Sequence, residues 1–170
     1  MTYKTFIAGV ALAVPAVAVP HAQMSDQAFV TKMAGVGMTE VELGKLAKDK
    51  ASSGDVKGFA QRMIDDHSKA GDELKALAQR RNFTLPSALP PDSVAEKDKL
   101  SKLSGHAFDE AYIAAMAKGH RELLPVVKGH AQTGADAELK AWATKVSSSV
   151  EAHMMHAEKV QREIGRTATN

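Results

Sequence analysis

Four stretches of the chain carry apolar residues at alternating steps of three and four. That spacing keeps them on one face of a helix and predicts four amphipathic helices. The first stripe reads Phe29, Met33, Val36, Glu40, Leu43, Ala47, and the second Val56, Ala60, Met63, His67, Ala70, Leu74, Leu77. The third reads Ile113, Met116, His120, Leu123, Val127, His130, and the fourth Leu139, Trp142, Val146, Ser149, His153, His156, Val160. Each stripe is interrupted near its middle by a residue that can bind a metal: Glu40, His67, His120 and His153. In a bundle, each of these would point inward with its stripe.

Start and stop signals bound the helices. The first is expected from about Ser25, a plausible N-cap, to Lys50, where Ser52-Ser53-Gly54 breaks it; the second runs from about Asp55 to Arg81. Thr84-Leu85-Pro86 and Leu89-Pro90-Pro91 then make an extended connector, because proline disfavours helix at its own position and the one before it. Ser93-Val94-Ala95-Glu96 has capping-box form and is expected to open a short helix ending near Gly105. The third long helix spans about Ala107 to Gln132, with a kink expected at Pro125, and the fourth about Asp136 to Ile164. Links within each pair are short and the link between pairs is long. The fold class is therefore all-α: a ferritin-like four-helix bundle in which a long crossover joins two helix hairpins. No alternating β pattern is present. Gly35, Gly37 and Gly44 suggest that the first helix approaches a neighbour closely.

The beginning of the chain changes the compartment. MTYKTFIAGVALAVPAVAVPHA combines one positive charge, a short apolar run and small residues, the form of a secretory signal peptide. Cleavage after Ala18 or Ala22 fits; with the latter, residues 1–22 are the signal peptide and 23–170 the ferritin-like domain, placed in the periplasm or secreted. No segment of the mature chain is apolar enough to span a membrane. Without cysteine there is no disulfide and no thiolate ligand. The formal charge of +2 is spread over mixed surfaces with no basic stripe, which argues against nucleic acid as a partner.

Ordered blocks of sequence carry a resemblance. Gly37-Met38-Thr39-Glu40-Val41-Glu42-Leu43-Gly44-Lys45-Leu46-Ala47, Phe59-Ala60-Gln61-Arg62-Met63-Ile64-Asp65-Asp66-His67, Leu103-Ser104-Gly105, Phe108-Asp109-Glu110-Ala111-Tyr112 and His120 resemble the bacterial family numbered 4142 among domains of unknown function. The resemblance covers about Asp26 to Val160 and implies an exported ferritin-like bundle; it implies no reaction.

Function rests on the interrupted stripes. Buried imidazoles and an ionised buried Glu need partners. Glu40, His67, His120 and His153 can supply one another's partner around a single ion, suiting Zn, Cu or Fe, for metal handling or envelope stress protection. The alternative is a metal-free structural or interaction module in which Glu40 accepts hydrogen bonds from the histidines in a buried polar layer. An iron oxidase or peroxidase comes third, because ferritin-like di-iron sites use Glu-x-x-His, whereas Ile64, Ala117 and Val150 stand three residues before the histidines. No nucleophile motif or phosphate loop is present, so no catalytic residue is assigned. A secondary cluster, His153-Met154-Met155-His156 with His130, has the soft donors of a copper site, although methionine commonly fills helical cores. Tyr112 is expected in the core with its hydroxyl able to reach the polar layer, and Asp109 as a cap or a pairing partner near the start of the third long helix rather than a ligand.

Overall fold

Each stripe forms a helix whose apolar face meets the other three, and local chemistry sets the ends. The computed structural model describes residues 24–167; the expected leader lies outside the described residues. Helix α1 spans Asp26–Lys50, α2 Gly54–Arg81, α3 Pro91–Ser101, α4 Gly105–Thr133 and α5 Ala137–Thr167, with no strand among the described residues. Ser25 and Ser53 cap α1 and α2 by accepting from the amides of Ala28 and Val56. Asn82, left-handed at φ 58°, ends α2, a conformation that Asn tolerates better than most residues. Helix α4 is continuous through Pro125.

The short helix differs from expectation at both ends: it stops at Ser101, and Gly105, where it was expected to end, opens α4. The short helix begins at Pro91, two residues before Ser93, and has no side-chain cap. Proline at the first helical position gives up only an amide that would have been unpaired there. Ser93, freed from capping, instead hydrogen-bonds with the Thr39 hydroxyl at 2.7 Å and ties α3 to α1.

Helices α1 and α2 pack as one hairpin and α4 and α5 as the other, with the 82–104 crossover between them carrying α3. A carboxylate at each end docks one hairpin on the turn of the other. Asp109 of α4 accepts from the Ser52 amide and hydroxyl and the Ser53 amide in the α1–α2 turn. Asp26 of α1 accepts from the Ala135 and Asp136 amides in the α4–α5 turn, at 3.0 and 2.7 Å. Asp109 near the start of α4 thus pairs with a neighbouring turn, one of the two structural roles expected of it, and does not cap its own helix. At Gly44, α1 comes so close to α2 that an added Cβ would stand 2.8 Å from Ile64 Cγ1 and 3.1 Å from the Ala60 carbonyl oxygen. Gly35 meets Pro90 of the crossover instead, and Gly37 touches nothing closer than 4.0 Å.

The core is two apolar clusters rather than one. The first gathers Leu43, Phe59, Met63, Phe108, Tyr112 and Met116, among others, and the second Phe29, Met33, Leu74, Leu123, Trp142 and Val146. On each long helix the member of one cluster is separated from the member of the other by the residue that interrupts the stripe. Glu40, His67, His120 and His153 are all buried there.

Candidate metal centre

Three of the four interrupting residues meet. One ring nitrogen each from His67, His120 and His153 lies within 4.8 Å of the other two. The ring centroids of the three pairs are separated by 5.4 to 5.8 Å. Nitrogens bound to one tetrahedral zinc stand about 3.3 Å apart, so inward movement of each ring by less than about 1 Å closes the set.

Partners outside the triad decide which nitrogens face it. His120 Nδ1 lies 2.9 Å from the Met116 carbonyl oxygen, which can only accept; Nδ1 therefore carries the proton and Nε2 keeps its lone pair. His153 Nε2 lies 2.7 Å from Asp66 Oδ2 and donates to it, leaving the lone pair on Nδ1. His120 Nε2 and His153 Nδ1 are buried without a hydrogen-bond partner, and so is His67 Nε2. Burial favours the neutral ring in all three. The His67 pKa is pushed down to about 3 by burial and then by its two histidine neighbours. Burial takes His120 down to about 4 against the pull of its Met116 hydrogen bond. His153 is lowered by burial although Asp66 opposes the shift. Burial also pulls the Asp66 carboxyl upward, but hydrogen bonds from His153 and Arg62 hold it below the ordinary range, so it stays ionised. The result is three neutral imidazoles, two of them with the lone pair fixed on a buried nitrogen, the form a cation requires.

Glu40 is buried but does not belong to the group of three. Its Oε2 has no hydrogen-bond partner, and burial raises its pKa to about 8, so it is protonated at neutral pH. No hydrogen bond joins Glu40 to a histidine or one triad histidine to another. The Tyr112 hydroxyl, expected to reach this layer, is buried without a partner, and its ring stacks on Phe108 at 5.7 Å. Burial, and then the nearby Glu40, push its pKa upward.

The secondary cluster does not assemble. His130 belongs to the far end of the bundle, stacked on Phe29 with centroids 3.8 Å apart and with Nε2 3.1 Å from Asp26 Oδ1. His156 packs edge-on against Phe59, Met154 is half-buried, and Met155 is 61% exposed. Met154 and Met155 fall between His153 and His156 along the helix, so their side chains turn to other faces than the histidines.

Asp66 is the residue that reading the stripes missed. It lies off its own helix's apolar face, and only the packing of α2 against α5 brings it to His153. A carboxylate next to His67 was visible in sequence, but its partner was not. Glu151, two residues before His153, turns outward to pair with Lys128 at 3.1 Å.

The bundle is similar to a DUF305 protein from Streptomyces coelicolor described as secreted, with a TM-score of 0.71, 19% identity, and 85% of this chain and 96% of that one covered. It is also similar to a DUF305 fragment from Deinococcus radiodurans, with a TM-score of 0.71, 15% identity, and 82% and 95% covered. At these identities the likeness establishes the helical fold alone. No curated protein matches the chain. The family described as Domain of unknown function (DUF4142) matches residues 11–160, nearly the whole length, and the chain belongs to that family.

Proposed function

We propose that the protein is an exported ferritin-like bundle that binds one transition-metal ion at His67, His120 and His153, and that it serves metal handling or envelope stress protection. The observation that carries this reading is the convergence of three buried histidines, each with one ring nitrogen that has no hydrogen-bond partner. A buried polar atom left unpaired costs about 1–3 kcal/mol, and one such atom on each of three clustered rings is accounted for together by one ion. Neutral imidazole suits Zn, Cu and Fe(II). Glu40, unpaired at the same break in the core, is the proposed fourth donor, and it would ionise as the cation arrives.

The metal-free polar layer is less well supported, because it requires hydrogen bonds from the histidines to Glu40, and none joins them. Redox di-iron chemistry lacks its bridging carboxylates: Ala117 and Val150 are buried apolar residues, and Ile64 packs against Gly44. Export is supported by the form of residues 1–22 and by the secreted DUF305 relative of the same fold. None of the described helices is long and apolar enough to cross a membrane.

Calorimetric titration of Zn(II) or Cu(II) into chelator-treated protein tests the reading. Tight binding of one ion per chain is expected in the wild type, and His67→Ala should lose it. Equally weak binding to both proteins would overturn the metal site.

A further inference from the structure

The triad is closed off: His120 and His153 are each 1% exposed and His67 8%. An arriving cation is hydrated, so its route must offer water and oxygen donors until the imidazoles replace them. Two pockets reach triad residues. One, of about 750 Å³, lies between α1, α2 and the crossover. It touches only His67 of the three, and Ala34, Val41, Leu74, Leu85 and Leu89 make it largely carbon-walled. The other, of about 130 Å³, lies between α2 and α5 and is bordered by both His67 and His153, together with Asp66, Glu73 and Ser149. It has room for several water molecules.

We propose that a hydrated divalent cation reaches the three histidines through the α2–α5 pocket, meeting the Asp66 carboxylate first. This rests on the metal site proposed above. The Asp66 side chain is 42% exposed while His153, its partner, is 2% exposed, so the carboxylate bridges solvent and triad. Both of its partners, His153 Nε2 and Arg62 Nε, are held by Oδ2, which leaves Oδ1 to replace water on an arriving ion. Two buried imidazole nitrogens without partners, His67 Nε2 and His153 Nδ1, belong to the residues at the inner end. The larger groove also carries Glu42, Asp72, Ser68 and Ser87, but Glu42 is already paired with Lys45 and Lys97, and the groove leads to one imidazole rather than two.

The seam is built to open. Helices α2 and α5 pack far less extensively on each other than each does on its hairpin partner. Across the mouth, Lys145 Nζ of α5 lies 2.6 Å from Glu73 Oε1 of α2. Such an exposed pair is easily broken. The remaining charged lining residue, Lys69, together with Lys145 balances Asp66 and Glu73, so access is governed by opening rather than by long-range attraction.

The test compares plugs placed in the two pockets. Ser149 is an exposed position bordering the seam pocket, and Gly71 borders the groove with no atom within 4 Å of an added Cβ, so Ser149→Phe and Gly71→Phe are both tolerable on the surface. Stopped-flow absorbance follows Co(II) binding, and a chelator chase follows its release. Ser149→Phe should slow both rates about tenfold, equivalent to about 1.4 kcal/mol of barrier, with equilibrium affinity unchanged. Gly71→Phe should change neither rate. Lys145→Ala, which removes the bridge across the mouth, should speed both and gives a second readout should Ser149→Phe fold poorly. Slowing by Gly71→Phe with no effect of Ser149→Phe would overturn the route in favour of the groove. Rates unchanged in both Ser149→Phe and Lys145→Ala would also overturn it, with the metal site intact. No cobalt signal in the wild type would instead overturn the metal site, and the route with it.

Discussion

The Asp66 carboxylate, adjacent in sequence to His67, serves His153 on another helix, with Oδ2 2.7 Å from Nε2. That contact fixes the proton of His153 on the outward nitrogen and leaves the inward one with its lone pair. The Met116 carbonyl does the same for His120 from within α4. Two of the three donors are thus oriented before any ion arrives, by one long-range and one local hydrogen bond.

Removing the long-range one should be felt at the metal. Asp66→Ala leaves His153 free to rotate and to change tautomer, and losing such an outer carboxylate typically weakens metal affinity about 10–100-fold. Calorimetry should show that loss while the circular dichroism of the metal-free variant stays native, since Asp66 lies at the helix surface.

Acid should destabilise the metal-free protein. His67 and His120 titrate near 3 and 4 when folded, against an ordinary histidine value of 6.5. Between those values the unfolded chain binds more protons than the folded one, so stability rises with pH there. It is fully present above about 6.5 and lost as pH falls toward 3. Thermal melts of chelator-treated protein should drop steadily across that window, and more shallowly in His67→Gln. Identical slopes would mean that His67 is not held neutral by burial.

Glu40 should act in the opposite direction. Its folded pKa of about 8 lies above the ordinary 4.5, so the folded state keeps a proton that the unfolded state has lost. Stability falls as pH rises through that interval. In metal-free protein, Glu40→Gln should therefore raise the melting temperature at pH 8 relative to wild type and change little at pH 4. The same variant should weaken ion binding if Glu40 is the fourth donor.

Asp109 holds the α1–α2 turn against α4. Asp109→Ala leaves the Ser52 and Ser53 amides without their acceptor and should cost about 1–3 kcal/mol in denaturant unfolding. Metal affinity measured below the unfolding transition should remain near wild type, because the tether lies at the bundle end, away from the triad.

Much of this architecture is legible in local sequence because its causes are local. Ser25, Ser53 and the prolines of the crossover act through neighbouring backbone, and the three–four spacing of Phe29, Met63, Leu123 and Val146 marks the buried face without knowledge of the partner helix. The interruption of each stripe likewise announces four buried polar residues. Proline at the start of α3 outcompetes the Ser93 box because its fixed backbone angle is already helical, a choice between two local signals that only the folded chain displays.

Sequence by itself determined the helices, their inward faces and the level at which the core turns polar, since these follow from periodicity and from the cost of burying polar groups. Tertiary structure alone decided which polar groups meet. Crossing positions of separate helices depend on side-chain packing along their whole length, so three histidines converge, Glu40 stands apart from their group, and His130 joins Phe29 and Asp26 at the far end. The Asp66–His153 contact has the same origin: it joins residues 87 apart in sequence, and no periodicity within either helix encodes it.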